Sequence, residues 1–408
     1  MKKVLINAYA CSPIKGSEES VGWSWAINVA RKGYRVWCIT NFEDKEAILA
    51  EKSKLNLPNL EFVFVHLKNG LDKMLFNPSS KKIYLHYYLW RTKACSVALE
   101  LHSKIKFDIG HHVSYGSFQQ GTYLWNLKGI KIIFGPVGGG QEAMPEFRDC
   151  FGSAWKFERI RSIISKLTLK YSSSLRNTIT KSDHILVTNF DTERMLKDTK
   201  MPLRNDSFLV LDNAVPDSML NINYVSKNPR STLQLLWVGR LLPRKGIKLV
   251  LHSLSLLPEN LNYKITIIGG GEQFSLIDGW IKEYGLNPAR LNIVGQVPYS
   301  DVINYYQNAD VFVFCSLRDS CPAQLNEAMA FGIPIITLNI HGSAFVPDEC
   351  GIKVTPTTRL ETALKISEAI KKFYEDYEYR KNCSINAFNF AKTNTWAKKI
   401  ELITSKFY

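Results

Sequence analysis

The chain has 408 residues, which is too long for one ordinary hydrophobic core and favours two domains. Hydrophobic residues make up 45% and charged residues 22% of it, and these shares exclude a disordered or fibrous protein. The formal net charge of +15 favours an acidic partner, although a solvated basic surface would give the same excess. No run reaches the roughly 18 apolar residues that a membrane-spanning helix needs. The protein is therefore expected to be cytoplasmic, either free or bound to a membrane surface.

Short apolar runs rich in β-branched residues alternate with segments of helical periodicity, a pattern typical of parallel α/β units. In the first half of the chain the predicted strands cover residues 4–8, 34–40, 60–65, 107–112, 131–134, 184–188 and 208–211. A helix is predicted over residues 20–31, after the first strand. Residues 221–232 are polar, contain a proline and lack periodicity, which indicates a linker.

A second series of alternating segments follows that linker. Its predicted strands cover residues 233–238, 264–268, 291–294, 311–315, 333–337 and 351–354, with helices over 247–257, 274–284, 300–307 and 323–331. The predicted fold class is α/β, with two facing Rossmann-like domains whose parallel sheets leave a ligand-binding cleft between them. The domains are expected to cover residues 1–214 and 215–390, with a C-terminal helix of about 391–408 packing back on the first.

The most informative motif is basic and follows the predicted strand at residues 233–238. Gly239 lets a ligand approach the backbone closely, and a helix begins near Gly246. Arg240 and Lys245 can converge on one diphosphate, the arginine through a forked pair of hydrogen bonds and the lysine as a point charge. The helix N-terminus adds amide donors and the positive end of its dipole. An exposed basic surface turn is the alternative interpretation of these residues alone.

A second motif follows the predicted strand at residues 311–315. Residues 316–334 place acids at Asp319 and Glu327, then a helix that ends in a glycine and a strand that begins with a proline. In this order and spacing, the two motifs resemble the core signature of retaining GT-B glycosyltransferases of family four, the group 1 transferases. That signature runs Gly-Arg, Lys-Gly and later Glu-x7-Glu-Ala-Met-Ala-x-Gly-x-Pro. The resemblance is strong over residues 233–354 and looser over the first domain.

The resemblance implies a role for each residue of the two motifs. Arg240 and Lys245 would bind the diphosphate of a nucleoside-diphosphate sugar and neutralise it as the leaving group. Glu327 would accept hydrogen bonds from the ribose hydroxyls. The first acid of the family pair contacts the donor sugar, and here it is the shorter Asp319, which puts that contact in doubt.

Further family positions are matched less specifically. Gly270 corresponds to the family's glycine-rich turn near the nucleotide, and Gln296 and Val297 correspond to the backbone that passes the base. Gly16 corresponds to a first-domain loop that faces the donor phosphates. A structural role for that loop, with Ser17 as the N-cap of the following helix, is the alternative.

A histidine pair ends the predicted strand at residues 107–112. Family members place a histidine at this strand end toward the donor sugar, and either His111 or His112 can take that place here. Because side chains alternate along a strand, only one of the two points to a given face. A structural histidine is the alternative for each. The glycines at residues 138–140 are a candidate amide nest for an anion, or else a plain turn.

Residues 155–181 are strongly basic, with one acid, Glu158, among the cations Lys156, Arg159, Arg161, Lys166, Lys170, Arg176 and Lys181. Apolar residues keep helical spacing between these charges, which predicts a basic amphipathic helix at an anionic membrane surface. An apolar stripe that belongs to the domain core is the alternative. Because many family acceptors are lipid-linked, we expect a peripheral position on the inner face of the plasma membrane.

By this resemblance the chain is a hexosyl-type glycosyltransferase of class EC 2.4 that retains the anomeric configuration. The donor is a nucleoside-diphosphate sugar, and the acceptor is a hydroxyl of a lipid-linked or polysaccharide precursor in cell-surface glycan synthesis. No metal or other cofactor is expected, because Arg240 and Lys245 neutralise the leaving group. The alternatives are a catalytically silent nucleotide-sugar-binding partner subunit and a GT-B sugar-nucleotide epimerase. Nucleic acid is not an expected partner, because no nucleic-acid-binding motif is recognised.

Overall fold

The computed structural model describes residues 1–16, 18–68, 70–77, 82–220 and 229–408, apart from the side chain of Ser218. The chain divides into two compact units. The first consists of Met1–Gly140, Ser165–Asp212 and Trp396–Tyr408, and the second of Gln141–Ile164 and Asn213–Thr395. The segment Gln141–Ile164, placed in the first domain by the sequence analysis, thus groups with the second unit. Most of the linker predicted over residues 221–232 lies outside the described residues.

A parallel sheet forms the middle of the first unit, and seven of its strands fall in the described residues. These strands are β1 Lys3–Ala8, β2 Arg35–Thr40, β3 Leu60–Phe64, β4 Ile109–Ser114, β5 Lys131–Val137, β6 His184–Val187 and β7 Phe208–Leu209. Their order is β3-β2-β1-β4-β5-β6-β7, so the order reverses between β1 and β4. Every strand predicted from the sequence is present, with its ends moved by up to three residues.

The second unit contains a parallel sheet with six strands in the described residues. These strands are β8 Leu233–Val238, β9 Tyr263–Ile268, β10 Leu291–Gly295, β11 Val311–Phe314, β12 Ile335–Leu338 and β13 Gly351–Val354. Their order is β10-β9-β8-β11-β12-β13, so β8 and β11 are neighbours where the order reverses. The strands are apolar and mostly buried because helices cover both faces of such a sheet. The predicted α/β class with two parallel, Rossmann-like sheets is confirmed.

Helices connect the strands of both sheets. Within the described residues they are α1 Glu18–Arg31, α2 Lys45–Lys54, α3 Leu71–Leu75, α4 Lys82–Ile105, α5 Arg148–Phe151, α6 Trp155–Tyr171, α7 Ser173–Lys181, α8 Phe190–Asp198, α9 Asp217–Leu220, α10 Ile247–Ser255, α11 Ile277–Glu283, α12 Tyr299–Asn308, α13 Ala323–Ala330, α14 Arg359–Glu375, α15 Tyr377–Thr393 and α16 Trp396–Phe407. The last of these, α16, packs against α1 in the first unit. The segment Gln141–Ile164, called the inserted segment below, contributes Phe147, Cys150 and Phe151 to the hydrophobic core of the second unit.

The basic segment of residues 155–181 forms two helices rather than one. In α6 Trp155 and Leu169 are partly buried, and the other large apolar side chains are between 51% and 70% exposed, namely Phe157, Ile160, Ile163, Ile164, Leu167 and Tyr171. In α7, by contrast, Leu175 and Ile179 are fully buried in the first unit. A core position is therefore wrong for the α6 stripe and right for α7. A search of the described residues finds no helix with the length and apolar character needed to span a bilayer.

Candidate active site

The carboxyl ends of β8 and β11 lie side by side where the strand order of the second sheet reverses. Open parallel sheets bind ligands at such a point. Glycines allow loops to meet there. A Cβ atom on Gly269 would lie 1.8 Å from the carbonyl oxygen of Gly239, and one on Gly246 would lie 2.0 Å from that of Cys315. The turn from Gly239 to Gly246 is therefore held closely against the ends of β9 and β11.

Lys245 lies in this turn and is only 6% exposed, so the expectation of an exposed turn is wrong for it. The Nζ atom of Lys245 forms an ion pair with the carboxylate of Asp319. A guanidinium nitrogen of Arg244 lies 3.6 Å from the same carboxylate. Burial lowers the pKa of Lys245 to about 8, although Asp319 opposes this shift. Burial also acts to raise the pKa of Asp319, but Lys245 and Arg244 outweigh it and lower that pKa to about 2. Both partners are charged at neutral pH.

Main-chain hydrogen bonds join the basic turn to the acidic loop. The carbonyl oxygen of Arg244 accepts a hydrogen bond from the Ser316 hydroxyl at 2.9 Å and another from the Leu317 amide at 2.8 Å. The amide of Ser320 donates to Oδ1 of Asp319 at 3.0 Å. The positions of the cations and of Asp319 are therefore fixed by the backbone as well as by their charges.

The other sequence candidates of the second unit follow the ends of the same strands. Arg240 is exposed at the start of the basic turn, and its positive charge acts on Lys245. A Cβ atom on Gly270 would lie 3.1 Å from Oε1 of Gln296, so the loops after β9 and β10 are in contact. Gln296 is exposed and Val297 is half-buried. The structure thus brings these candidates to one edge of the second sheet.

Glu327, the second acid of the motif, lies in α13 and is 7% exposed. Its Oε1 accepts a hydrogen bond from the Tyr299 hydroxyl at 2.9 Å, and its Oε2 accepts one from the Tyr306 hydroxyl at 2.8 Å. Burial raises the pKa of Glu327, and the two tyrosine hydrogen bonds oppose the rise. Glu327 is therefore held by neutral donors, whereas Asp319 is held by cations.

A second buried carboxylate comes from the inserted segment. Glu158 of α6 is 9% exposed, and its Oε1 lies 2.8 Å from a guanidinium nitrogen of Arg161 and 2.7 Å from Nε of Arg318. Arg318 directly precedes Asp319 in the acidic loop, and burial followed by repulsion from Arg161 lowers its pKa to about 10. The inserted segment therefore takes part in holding the acidic loop of the second unit.

The two histidines of the first unit have different partners, and both are buried at the end of β4. Nδ1 of His111 lies 2.5 Å from the Tyr408 hydroxyl, and its Nε2 lies 2.7 Å from the Gly135 carbonyl oxygen. A structural role accounts for His111. Nδ1 of His112 accepts a hydrogen bond from the side-chain amide of Asn7 at 2.9 Å, which places the proton of the neutral ring on Nε2.

Nε2 of His112 is buried and forms no hydrogen bond of good geometry within the described residues, although the backbone of Tyr115 and Ser114 lies close enough to act on the pKa of the ring. Burial, with the nearby charge of Arg91, lowers the pKa of His112 to about 4, so the ring is neutral at pH 7. A neutral N–H donor suits a sugar hydroxyl or another neutral acceptor. Of the two sequence candidates, His112 is the one whose Nε2–H lacks a well-formed acceptor.

The glycine-containing loops of the first unit are occupied by internal contacts or only partly described. Gly16 is half-buried between β1 and α1, and Ser17, the proposed N-cap, lies outside the described residues. The amide of Gly138 donates to the Gly116 carbonyl at 2.8 Å, and the amide of Gly140 donates to the Thr192 hydroxyl at 3.2 Å. An anion nest built on the amides of residues 138 and 140 is therefore wrong, because both already have protein acceptors.

Solved structures with a similar backbone cover the whole chain. Sucrose-phosphate synthase from Thermosynechococcus elongatus has a TM-score of 0.70 and 18% identity, over 100% of this chain and 98% of that one. HepE from Anabaena, solved in complex with UDP-glucose, has a TM-score of 0.63 and 14% identity over 100% of both chains. The fold is GT-B.

Sequence relatives of this GT-B chain are glycosyltransferases. Residues 222–390 match the family of glycosyl transferases group 1. The capsular polysaccharide biosynthesis glycosyltransferase CapM of Staphylococcus aureus is 27% identical over 237 residues, which are 56% of this chain and 57% of CapM. The chain spans about half the length of the curated relatives that it matches. The resemblance to group 1 transferases is confirmed for that region, and membership of family four and retention of configuration stay predictions.

Sequence reasoning did not find several residues that shape this GT-B site. Arg244 was visible in the basic motif, but nothing in the spacing distinguished its carbonyl as the acceptor for the acidic loop. Tyr299 and Tyr306 stand seven residues apart, two helical turns, so a pair on one face of α12 could have been noticed. The pairing of Glu158 with Arg318 joins residues 160 positions apart, and no local signal predicts it.

Proposed function

We propose that the protein is a retaining glycosyltransferase that moves a hexose from a nucleoside-diphosphate sugar to an acceptor hydroxyl in cell-surface polysaccharide synthesis. The group 1 match and the capsular polysaccharide relative support this proposal. The observation that carries it is the cationic turn at the end of β8. Arg244 and Lys245 pair there with the carboxylate of Asp319, and Arg240 lies close enough for its charge to act on Lys245. The turn thus keeps an excess of positive charge, which is the complement of a diphosphate.

In the proposed reaction the bond from the anomeric carbon to the diphosphate breaks, and the diphosphate leaves with the bonding electron pair. Arg240 and Lys245 neutralise the charge that develops on the leaving oxygens, and each preorganised donor of this kind contributes on the order of 3 kcal/mol. These cations supply the charge that a metal ion supplies in other transferases, so we propose transfer without a metal. The acceptor hydroxyl attacks from the side of the leaving phosphate, which receives its proton, and the configuration is retained.

The other candidates have proposed binding roles. Glu327 accepts hydrogen bonds from the ribose hydroxyls. Gln296 and Val297 contact the base beside Gly270. His112 donates its Nε2–H to the donor sugar. For Gly16 we retain the role implied by the family resemblance, a loop next to the donor phosphates. Each of these residues binds the donor in its ground state. Replacing one of them should therefore raise the KM for the donor more than it lowers turnover.

A two-step experiment tests the function. A thermal-shift panel of nucleoside diphosphates and their sugars first identifies the donor, with Lys245→Met as a control that should respond less. The donor is then incubated with candidate acceptors, and the products are analysed by mass spectrometry and by NMR of the anomeric proton. A new glycoside of unchanged configuration is expected.

The alternatives give different products. A silent binding subunit would show the thermal shift without transfer or hydrolysis, and an epimerase would release free nucleotide and an altered sugar. No stabilisation by any nucleotide would refute the proposal itself.

We further propose that the acceptor is lipid-linked and that α6 binds the inner face of the plasma membrane. The exposed apolar stripe of α6 is flanked by the exposed cations Lys156, Arg159 and Lys170. A bilayer with anionic headgroups complements both features. Arg161 does not belong to this set, because it pairs with Glu158 and donates to the Gln141 carbonyl at 2.9 Å.

Vesicle co-sedimentation tests this placement. Replacing Lys156, Arg159 and Lys170 with glutamine should release the protein from anionic vesicles, since each cation near the surface contributes about 1 kcal/mol. The matched control replaces the exposed Lys264, Lys282 and Lys371 of the second unit and should leave binding unchanged.

Activity on a short, water-soluble acceptor should persist in both triple variants. Equal vesicle binding by the two variants at low salt would contradict the placement.

A further inference from the structure

The carboxylate of Glu327 is held at both oxygens by tyrosine hydroxyls, and this arrangement bears on how the nucleotide is selected. Oε1 accepts from Tyr299 at 2.9 Å and Oε2 from Tyr306 at 2.8 Å. A carboxylate oxygen can accept two hydrogen bonds. Each oxygen therefore keeps one further acceptor position, and the tyrosines fix the plane of the carboxylate in which these positions lie.

The two tyrosines are themselves fixed by the fold. Tyr306 is fully buried, and its ring stacks on Phe331 with an interplanar angle of 13° and a centroid distance of 5.4 Å. Tyr299 is the first residue of α12 and follows Pro298 directly after the loop of Gln296 and Val297. Because the tyrosines are two turns apart on α12, they approach the carboxylate from one face of that helix.

The two tyrosines differ in their exposure. Tyr299 is 39% exposed, whereas Tyr306 is only 1% exposed. The hydroxyl that reaches Oε1 thus belongs to a ring at the surface of the second unit, directly after the loop proposed to contact the base. The hydroxyl that reaches Oε2 belongs to the core. One carboxylate oxygen therefore accepts from a residue that directly follows the loop of Gln296 and Val297, and the other accepts from a residue of the protein core.

From this geometry we infer that Tyr299 and Tyr306 are positioning residues that orient Glu327 for two adjacent ribose hydroxyls and so select ribonucleotide over 2′-deoxyribonucleotide donors. The inference rests on the proposed function, in which Glu327 binds the ribose. A vicinal diol can donate one hydrogen bond to each oxygen of a correctly oriented carboxylate. A 2′-deoxyribose leaves one of these acceptors without its partner, and a charged acceptor left unpaired in a buried site is costly.

Nucleotide discrimination is the readout that a merely structural role would not change. Dissociation constants are measured for a ribonucleoside diphosphate and its 2′-deoxy analogue, with the wild type, Tyr299→Phe, Tyr306→Phe and the double variant. The wild type should prefer the ribonucleotide by about 10- to 100-fold, as expected for a hydrogen bond to a charged group. In the double variant the preference should fall to about 3-fold or less, because the carboxylate is free to turn.

Tyr305→Phe is the matched control, since Tyr305 lies on the same helix and packs against the same core, while the hydroxyls that donate to Glu327 are those of Tyr299 and Tyr306. It should keep the wild-type preference. The pH dependence gives a second readout, because Tyr299 and Tyr306 are the titratable groups that act on Glu327. Without them the acid-side loss of ribonucleotide affinity should move to higher pH, since an ionised Glu327 is then less stabilised.

Two results would overturn the inference: an unchanged ribose preference in the double variant, or an equal loss of preference in Tyr305→Phe. Failure of the wild type to bind any nucleoside diphosphate would instead refute the proposed function. The two failures are thereby distinguished.

Discussion

The acids Asp319 and Glu327 belong to one motif, the first half-buried and the second buried, yet the structure surrounds them with opposite chemistry. Asp319 faces Lys245 and Arg244, and these charges lower its pKa to about 2. Glu327 faces two tyrosine hydroxyls, and burial leaves its pKa raised. The first carboxylate is part of an ion cluster, whereas the second is held by uncharged hydroxyl donors.

This contrast shows that a sequence motif can fix the spacing of two acids without fixing the charges that surround each of them in the fold. The neighbours decide whether a buried acid is stabilised by charge or tolerated through hydrogen bonds. For Asp319, the partners come from the basic turn after β8. For Glu327, they come from α12. The two acids should therefore respond differently to the same kind of substitution.

The largest difference is expected in stability. Asp319→Asn should lower the free energy of unfolding by about 3–5 kcal/mol, because it leaves the buried Lys245 without its counter-charge. Glu327→Gln should cost only about 1 kcal/mol, because the amide oxygen still accepts from one tyrosine hydroxyl and the other hydroxyl can accept from the amide N–H. Urea unfolding of both variants without nucleotide checks this prediction. Similar losses for the two variants would remove the proposed distinction.

Turnover should depend on the cations that surround the first acid. Lys245→Met and Arg240→Ala should each lower turnover by roughly 10²–10³-fold, by analogy with removing one transition-state donor. The comparison variant is Lys264→Ala, an exposed lysine of β9 whose loss should leave turnover unchanged. Initial rates at saturating donor provide the measurement. Near-normal rates for either site variant would exclude a role in leaving-group stabilisation.

The pH dependence of stability should have opposite signs at the two acids. The lowered pKa of Asp319 means that its stabilisation is present above its ordinary value of 3.8 and is lost as the pH falls toward about 2. The raised pKa of Glu327 means that its contribution is largest below 4.5 and decreases as the pH rises through the shifted pKa.

Melting temperatures from about pH 3 to about pH 8 test these signs. The difference in melting temperature between wild type and Asp319→Asn should become smaller as the pH falls. The difference between wild type and Glu327→Gln should become smaller as the pH rises to neutral. If both differences in melting temperature changed in the same direction with pH, the surroundings of Asp319 and Glu327 would have the same effect on their carboxylates.

The smallest effect is expected from lengthening the first acid. Asp319→Glu restores the family's usual residue and adds one methylene within the ion cluster. We expect a change of a few-fold in the preference among donor sugars, about 1 kcal/mol, rather than a loss of activity. Competition between two nucleotide sugars measures the ratio directly. Identical ratios for wild type and variant would indicate that residue 319 does not reach the sugar.

Local patterns in the sequence were enough to predict the two parallel sheets. The strands β8 and β13 begin and end where apolar periodicity placed them, because a strand buried on both faces is a continuous apolar run. The basic and acidic motifs were also visible, since each immediately follows a strand. Their proximity followed from topology, because adjacent parallel strands end at one edge of a sheet.

Partners that come from distant parts of the chain could not be predicted. His111 and His112 are neighbours with the same local pattern, and only Tyr408 and Asn7, at opposite ends of the chain, distinguish them. The burial of Lys245 also depends on packing that the motif does not encode. Whether the apolar stripe of α6 is covered was open for the same reason, because periodicity gives the face of a helix but not what covers it.

The segment Gln141–Ile164 has a consequence for how such a protein can be divided or recombined. It supplies Phe147, Cys150 and Phe151 to the core of the second unit and Glu158 to Arg318, although it precedes the rest of that unit by some fifty residues of the first. A gene crossover near residue 213 would exchange most of the second unit but leave this segment behind. A functional exchange of donor specificity between relatives therefore requires two separate stretches of sequence to be inherited together.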